Sequence, residues 1–301
     1  MTKVRIKYVD AFTRIPHTGN PAAVVLDASQ LSEIQMKSIA SEVNLSETAF
    51  ILPSTKPGAR LRIRWFSPVV EVPLCGHATV ASFHALAEES ALGMEADGRY
   101  EFNVDTALGI LPVEVEKKKD NNTVMIQLNP TRLERIGQYK IDLIRVLNIS
   151  ISEFDGKIPI MRDDYLYVPV KRLHTLFTMK PNFITMSYFL TSRNLRGLCV
   201  FTTETIDRES KVHSRFFAPN EGTNEDPVTG SAHGPLTQIL LEHGHIPSER
   251  GTYIFQAEQG DAIGRKGRIQ IRVDIGESAQ PSIRIGGQAI TVMDGEMIVN
   301  D

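Results

Sequence analysis

Cysteine is almost missing from this 301-residue chain, which has only Cys75 and Cys199. Two thiols so far apart build neither a disulfide framework nor a metal-spaced cluster, so a reducing cytoplasm is the expected compartment. No apolar run approaches the ~20 residues that a membrane span needs. The start, Met-Thr-Lys-Val-Arg-Ile-Lys, has no signal-peptide apolar core. Charge of one sign is not in excess either. The net charge of -3 gives no reason to expect nucleic acid or a membrane as partner. The glycine-rich stretch Gly260-Asp-Ala-Ile-Gly-Arg-Lys-Gly267 is not G-x-G-x-x-G. Alternating strands follow it, at Arg268–Val273 and Ser282–Ile285, where a nucleotide site would need a helix. No metal and no organic cofactor is therefore expected. What remains is an ordinary globular composition, 42% hydrophobic and 23% charged, long enough for two domains.

The most informative stretch is Asn224-Glu-Asp-Pro-Val-Thr-Gly-Ser-Ala-His-Gly-Pro-Leu236. A carboxylate, Asp226, precedes a proline, two hydroxyls and Gly230. An apolar helical pattern then follows at Leu236, Ile239 and Leu240. A polar turn opening into a helix leaves backbone N–H groups at the positive end of the dipole, a ready site for a carboxylate. The same residues also read as an ordinary helix start, with Ser231 as N-cap and Pro235 in the first turn. A second copy of the pattern shifts the balance. Arg64-Trp-Phe-Ser-Pro68 precedes Cys75-Gly-His-Ala-Thr79, and Arg215-Phe-Phe-Ala-Pro219 precedes Asp226-Pro-Val-Thr-Gly-Ser231. Pro68 to Cys75 is seven positions, as is Pro219 to Asp226. Matched motifs in the two halves predict two similar domains whose helix N-termini converge on one cleft.

Along the chain, Val4–Val9 and Ala22–Leu26 read as strands. Ser32 and Gln35 make a capping box ahead of a helix marked by Met36, Ile39, Ala40 and Val43. Glu47 falls where that helix has stopped and the strand Ala49–Leu52 begins. Its neighbours there are mostly apolar. A partly desolvated carboxylate in such a place suits proton transfer; a strand-end surface glutamate is the plainer alternative. Arg60–Phe66 alternates cleanly, and the helix after Cys75 carries Val80, Phe83 and Ala87. Tyr100–Val104, Gly109–Val115 and Val124–Leu128 read as strands, with Lys117–Asn122 as a solvated hairpin tip. Asn129-Pro130 is the candidate domain boundary. Beyond it come a helix at Ile141–Leu147, strands at Tyr165–Val170, Gly197–Phe201 and His213–Phe217, and closing strands at Ala289–Val292 and Met297–Val299. Pro181–Leu190 is ambiguous. Strands outnumber helices, which argues for an α+β fold over a doubly wound parallel sheet.

Gly-Asn-Pro at 19–21, Ser-Glu-Thr-Ala-Phe at 46–50, Cys-Gly-His-Ala-Thr at 75–79 and Glu-Asp-Pro-Val-Thr-Gly-Ser-Ala at 225–232 together resemble the PhzF family. Its members are phenazine biosynthesis-like isomerases of the diaminopimelate epimerase fold. Gln259-Gly260 with Gly264-Arg265 fits the family's late signature. The resemblance spans essentially the whole chain. It implies two pseudo-symmetric α+β domains, each a mostly antiparallel sheet wrapped around a central helix. The expected domains are 1–128 with returning strands at 288–301, and 129–287. It also implies cofactor-free isomerisation by proton transfer in the interdomain cleft. Glu47 is then the expected general acid/base, with His77, Asp226 and Ser231 as companions. Gly19, Asn20, Gly76, Ala78, Thr79 and Gly230 are the expected substrate-binding positions. A small carboxylic acid is the expected partner, and a homodimer a candidate assembly.

Epimerases of this fold carry a cysteine in each half. Here Cys75 stands in one half and Asp226 in the other, which counts against a two-thiol racemase. No base is identifiable beside Cys75, so a small buried residue is its expected role. His233 and the run His243–His245 are expected to be surface or packing residues. Three readings stand open: an isomerase of a small acid, a racemase working through Cys75, and a non-catalytic binder of small acids.

Overall fold

A computed structural model describes residues 2–119, 121–277 and 280–300 of the chain. The chain forms two compact units, one of Met1–Gln127 with Ile285–Asp301 and the other of Leu128–Arg284.

The first unit opens with β1 (Thr2–Ala11) and β2 (Asn20–Val25), which pair antiparallel. Gly19 sits in the turn between them at φ 65°, and a Cβ there would stand 2.2 Å from the Ala11 carbonyl oxygen, so only glycine fits. Helix α1 (Glu33–Val43) follows the capping box of Ser32 and Gln35 and ends at Asn44 in the left-handed conformation. Then come β3 (Thr48–Leu52), β4 (Leu61–Phe66) and the short β5 (Glu71–Val72). Helix α2 (Gly76–Glu88) is followed by β6 (Gly98–Thr106), β7 (Gly109–Lys117) and β8 (Thr123–Leu128). Of the expected hairpin tip, Asp120 lies outside the described residues.

β2 explains the layering. Every residue from Ala22 to Val25 is inaccessible to solvent, so both faces of the strand are covered. Ala23 and Val25 join Met36, Ile39 and Ala40 of α1 in one apolar cluster. By strand alternation Ala22 and Val24 face the other way, where α2 packs on β1, β2 and β3. α2 is buried from His77 to Ala87 without a break, which no amphipathic surface helix could be. Phe83 is wholly enclosed and packs on Phe102 of β6, ring centroids 5.4 Å apart and planes tilted by 34°. Burying one such ring contributes roughly 1.5–3 kcal/mol.

The second unit holds β9 (Glu134–Arg135), α3 (Lys140–Leu147), β10 (Met161–Arg162), β11 (Tyr165–Pro169), α4 (Leu173–Thr178) and α5 (Phe183–Thr191). β12 (Gly197–Thr202), β13 (Ser210–Ala218), β14 (Thr223–Asp226), α6 (Gly230–Glu242), β15 (Gly251–Gln259) and β16 (Gly267–Ile275) complete it. The ambiguous stretch is helical because Asn182 caps it, accepting from the Thr185 amide. Helices α3, α4 and α5 bury Leu143, Val146, Leu176, Met186 and Phe189 against Leu166, Val168, Leu198 and Val200 of the sheet. α6 is the counterpart of α2, with Ala232–Thr237, Ile239 and Leu240 buried.

The two units share one pairing scheme. In the first, β2–β3 is parallel, β3–β4 antiparallel, β4–β6 parallel and β6–β7 antiparallel. In the second, β11–β12, β12–β13, β13–β15 and β15–β16 repeat that order. The repeated motifs occupy the same places in it. β4 pairs with β5 ahead of α2, and β13 pairs with β14 ahead of α6. Arg64 bridges to Glu71 and Arg215 to Glu225, each with two nitrogens on one carboxylate.

The last strand, β17 (Ser282–Val299), is continuous where the sequence shows separate short strands. Its later half is half-exposed, with Met293 and Ile298 open to solvent, and cross-strand charge pairs accompany it. Lys3 meets Glu296 and Arg5 meets Asp294. β17 pairs antiparallel with β1 from Thr2–Val299 to Ala11–Ala289, and also pairs with β8. With β7–β8, those pairings close the first unit's sheet into a ring around α2. No described helix is long and apolar enough to cross a membrane.

Candidate active site

In the first unit the chemistry gathers where α2 begins. Asn44 ends α1, three residues carry the chain to β3, and the Glu47 carbonyl accepts from the Ala23 amide at 3.2 Å. That bond fixes the backbone and leaves the carboxylate to reach α2. Its Oε2 stands 3.3 Å from His77 Nε2. Ser46 Oγ lies 3.3 Å from the same nitrogen, and Cys75 Sγ lies 3.4 Å from His77 Nδ1. The imidazole thus stands between a thiol and a carboxylate. With the hydrogen on Nε2, the ring donates to Glu47 and its Nδ1 accepts from the thiol. The Glu47 side chain keeps 21% of its surface exposed and His77 only 7%, so the glutamate is the more accessible of the pair.

Cys75 is the N-cap of α2 but makes no side-chain capping bond. The first-turn amides of Gly76, His77 and Ala78 therefore gain no side-chain acceptor there, and they sit at the positive end of a thirteen-residue helix. Thr79 donates its hydroxyl back to the Cys75 carbonyl at 2.6 Å, and Ala78 is fully buried. Asn20 is also fully buried, as the first residue of β2.

Two expectations are corrected here. Cys75 does have a base beside it, His77 two residues on. The Cys-x-His spacing carried that signal, because an N-cap residue in extended conformation can turn its side chain toward one in the helix's first turn. And although no metal-spaced cluster shows in the sequence, Glu47, Cys75 and His77 offer ligand atoms within 4.8 Å of one another. The third donor comes from a loop nearly thirty positions away, which no local spacing reveals.

In the second unit, Asp226 ends β14 and α6 begins four residues later. The N-cap is Thr229, not Ser231. Its hydroxyl donates to the Asp226 carboxylate and so leaves the helix amides uncapped. Because the helix starts earlier than expected, Pro235 falls beyond its first turn. Gln259, at the end of β15, pins the turn. Its amide nitrogen donates to the Asp226 carbonyl at 2.8 Å and to Thr229 Oγ1 at 3.1 Å, and its oxygen accepts from the Thr229 amide at 3.1 Å. Ser231, freed from capping, meets the Tyr165 hydroxyl at 3.1 Å. Tyr165 is braced edge-on by Phe216, and burial raises its phenol above the ordinary range.

Beneath the turn, His233 is fully buried. Its Nδ1–H donates to the Thr229 carbonyl at 2.8 Å, and its Nε2 accepts from Ser214 at 3.3 Å. Burial lowers its pKa to about 4, so it is neutral near pH 7. Sequence reasoning passed over Tyr165, Ser214 and Ser46 as site neighbours. Only Ser46, inside the Ser-Glu-Thr motif, carried a signal.

Comparison with known proteins gives the class first. An uncharacterised isomerase of Clostridium acetobutylicum is 36% identical over 99% of both chains. The trans-2,3-dihydro-3-hydroxyanthranilate isomerase of Pseudomonas chlororaphis is 31% identical over 97% of this chain and 98% of its own. A crystal structure of a Bacillus anthracis phenazine biosynthesis protein of the PhzF family shares 30% identity and superposes with a TM-score of 0.87, over 99% of this chain and all of that one. This chain is an enzyme of the isomerase class. The model of the phenazine biosynthesis-like protein family matches residues 9–295, and the chain belongs to that PhzF family.

Proposed function

We propose that the chain isomerises a small carboxylic acid by moving a proton between carbons, without a cofactor. Glu47 removes the proton and returns it at the new position, so the double bond shifts and no atom is gained or lost. The observation that carries this reading is the Glu47–His77 contact of 3.3 Å at the uncapped start of α2. Proton abstraction beside a carboxylate needs a positioned base and a sink for the developing enolate charge. Glu47 supplies the first. The amides of Gly76 and Gly230, assisted by His77, supply the second.

Asp226 and Ser231 join Glu47 and His77 on one substrate, in a cleft between domains 1–128 with 288–301 and 129–287. Gly19, Asn20, Ala78 and Thr79 shape the floor around the substrate carboxylate. The cytoplasm is the proposed location, with a homodimer as the candidate assembly. The Pseudomonas relative acts on an amino- and hydroxy-substituted dihydroaromatic acid, as its name states. That supports an unsaturated or amino-substituted acid as the substrate class here.

The 3.4 Å contact of Cys75 with His77 favours a second reading, a racemase working through the thiol. One experiment tests both. A panel of small carboxylic acids is first screened for thermal stabilisation, and each hit is incubated with the enzyme in D₂O. Isomerisation predicts a shifted double bond with solvent deuterium incorporated, and activity that survives loss of the thiol in Cys75→Ala. Inversion of a stereocentre that is lost in Cys75→Ala supports the racemase. Hits that bind but never exchange hydrogen sink both readings.

A further inference from the structure

We propose that Glu47, Cys75 and His77 bind a thiophilic divalent cation, zinc foremost, and that the bound ion switches this half of the site off. The binding claim stands on the geometry alone; the inhibitory consequence rests on the function proposed above. The three side chains offer a thiolate, an imidazole nitrogen and a carboxylate oxygen, all within 4.8 Å of one another. Zinc takes these three donor types and commonly keeps a fourth position for water when the protein supplies three.

With metal–ligand bonds of about 2.0–2.3 Å, donors around a tetrahedral ion stand roughly 3.3–3.8 Å apart. Whichever ring nitrogen ligates, one contact already meets that spacing, Sγ to Nδ1 at 3.4 Å or Nε2 to Oε2 at 3.3 Å. Only one ring nitrogen can ligate, so the third donor must close by about 1 Å. Glu47 can follow, because its side chain is partly exposed and leaves from a connecting segment. Cys75 and His77 are held two residues apart at the start of a buried helix.

The charges balance as well. Thiolate and carboxylate together carry two negative charges, which match a divalent ion. Binding releases the thiol proton to solvent as the metal–sulfur bond forms. Magnesium and calcium prefer all-oxygen sites and are discriminated against by the nitrogen and sulfur donors. A bound ion takes the lone pair that Glu47 needs to accept a proton, so zinc and substrate turnover exclude each other.

Cobalt(II) reports on such a site without any substrate. Titration of the full chain should give one equivalent of tetrahedral d–d absorption with a thiolate-to-cobalt charge-transfer band. Zinc should abolish both signals, and millimolar magnesium neither. Cys75→Ser should lose the charge-transfer band and weaken cobalt binding by at least the ~10–100-fold that even an outer-shell loss costs. Glu47→Gln, a change in a half-buried connecting segment, should weaken binding while keeping the band. Cys199→Ser should change nothing, since Cys199 is buried in β12. A folded wild-type chain with no charge-transfer band overturns the proposal. So does a band that survives Cys75→Ser and is lost in Cys199→Ser. Failure of the isomerase reading leaves these absorption results untouched.

Discussion

Replacing Glu47 by glutamine separates two magnitudes that the structure keeps apart. The amide matches the carboxylate in size and retains an acceptor for His77, but it cannot take a proton. The backbone of Glu47 is held by the 3.2 Å bond from the Ala23 amide, which the substitution does not touch. What changes is the charge on one 3.3 Å contact to a histidine, made from a partly exposed side chain. Such pairs contribute about 0–1 kcal/mol to stability. Loss of a general base costs ~10²–10⁴ in rate, or roughly 3–5.5 kcal/mol of barrier. Glu47→Gln should therefore melt within a few degrees of the wild type, still bind the substrate, and turn over at least about a hundredfold more slowly. Asp226→Asn should do the reverse. It takes the charged acceptor from the Thr229 hydroxyl, so binding and folding should suffer more than the chemical step. The assay is single-turnover deuterium exchange with affinity and thermal melting measured on both variants. Near-wild-type turnover in Glu47→Gln beside a dead Asp226→Asn would refute the assignment and give the proton to Asp226.

Two further outcomes concern stability. His233 has a folded pKa of about 4 against an ordinary value of 6.5, because burial disfavours its charged form. Its contribution is thus present above pH 6.5 and is lost as pH falls toward 4, where the unfolded chain takes up a proton that the folded one refuses. From pH 7 to pH 5 this removes about 2 kcal/mol. Urea unfolding at the two pH values should show that drop in the wild type and a smaller one in His233→Asn; equal drops would place the acid sensitivity elsewhere. Gly286→Ala should be far more damaging than its single methyl suggests. Its Cβ would stand 1.9 Å from the Val124 carbonyl oxygen and 2.7 Å from the Met125 Cα, both backbone atoms of β8. Neither can swing aside, so about 3 kcal/mol or more should be lost, and a melting temperature unchanged by the substitution would contradict the close pairing of β17 with β8.

What the sequence made legible is what local chemistry determines. The capping box at Ser32 and Gln35, the apolar run Ala22–Val25 within β2 and the matched arginine motifs each depend on residues within a few positions of one another, and each stands in the structure at its expected place. The start of α6 was missed by two residues because Thr229 and Ser231 are both competent caps. The choice between them was made by Gln259, thirty positions away, which grips Thr229 and turns its hydroxyl onto Asp226. β15 went unread for a similar reason. Its solvent-facing half carries the exposed Ile254, and its buried half carries a charge, Glu258, that is tolerable only beside His213 and the amides of Ile206 and Asp207. Burial alone would raise that carboxyl, but those hydrogen bonds outweigh it and hold it near 2. The Cys75–His77–Glu47 group lies across the same divide. The cysteine and histidine are two positions apart and the motif announced them; the glutamate meets them only because β3 runs parallel to β2 and brings the end of α1 to the start of α2. The strand order that repeats in the second unit delivers Asp226 to the start of α6 by the same route that delivers Cys75 to α2. In one unit the repeated turn presents a thiol with a histidine two residues on, in the other a carboxylate bound to a threonine. The duplicated frame thus carries unlike side chains at its two equivalent positions, so its two halves do not supply the matched pair of thiols that a two-cysteine racemase would need.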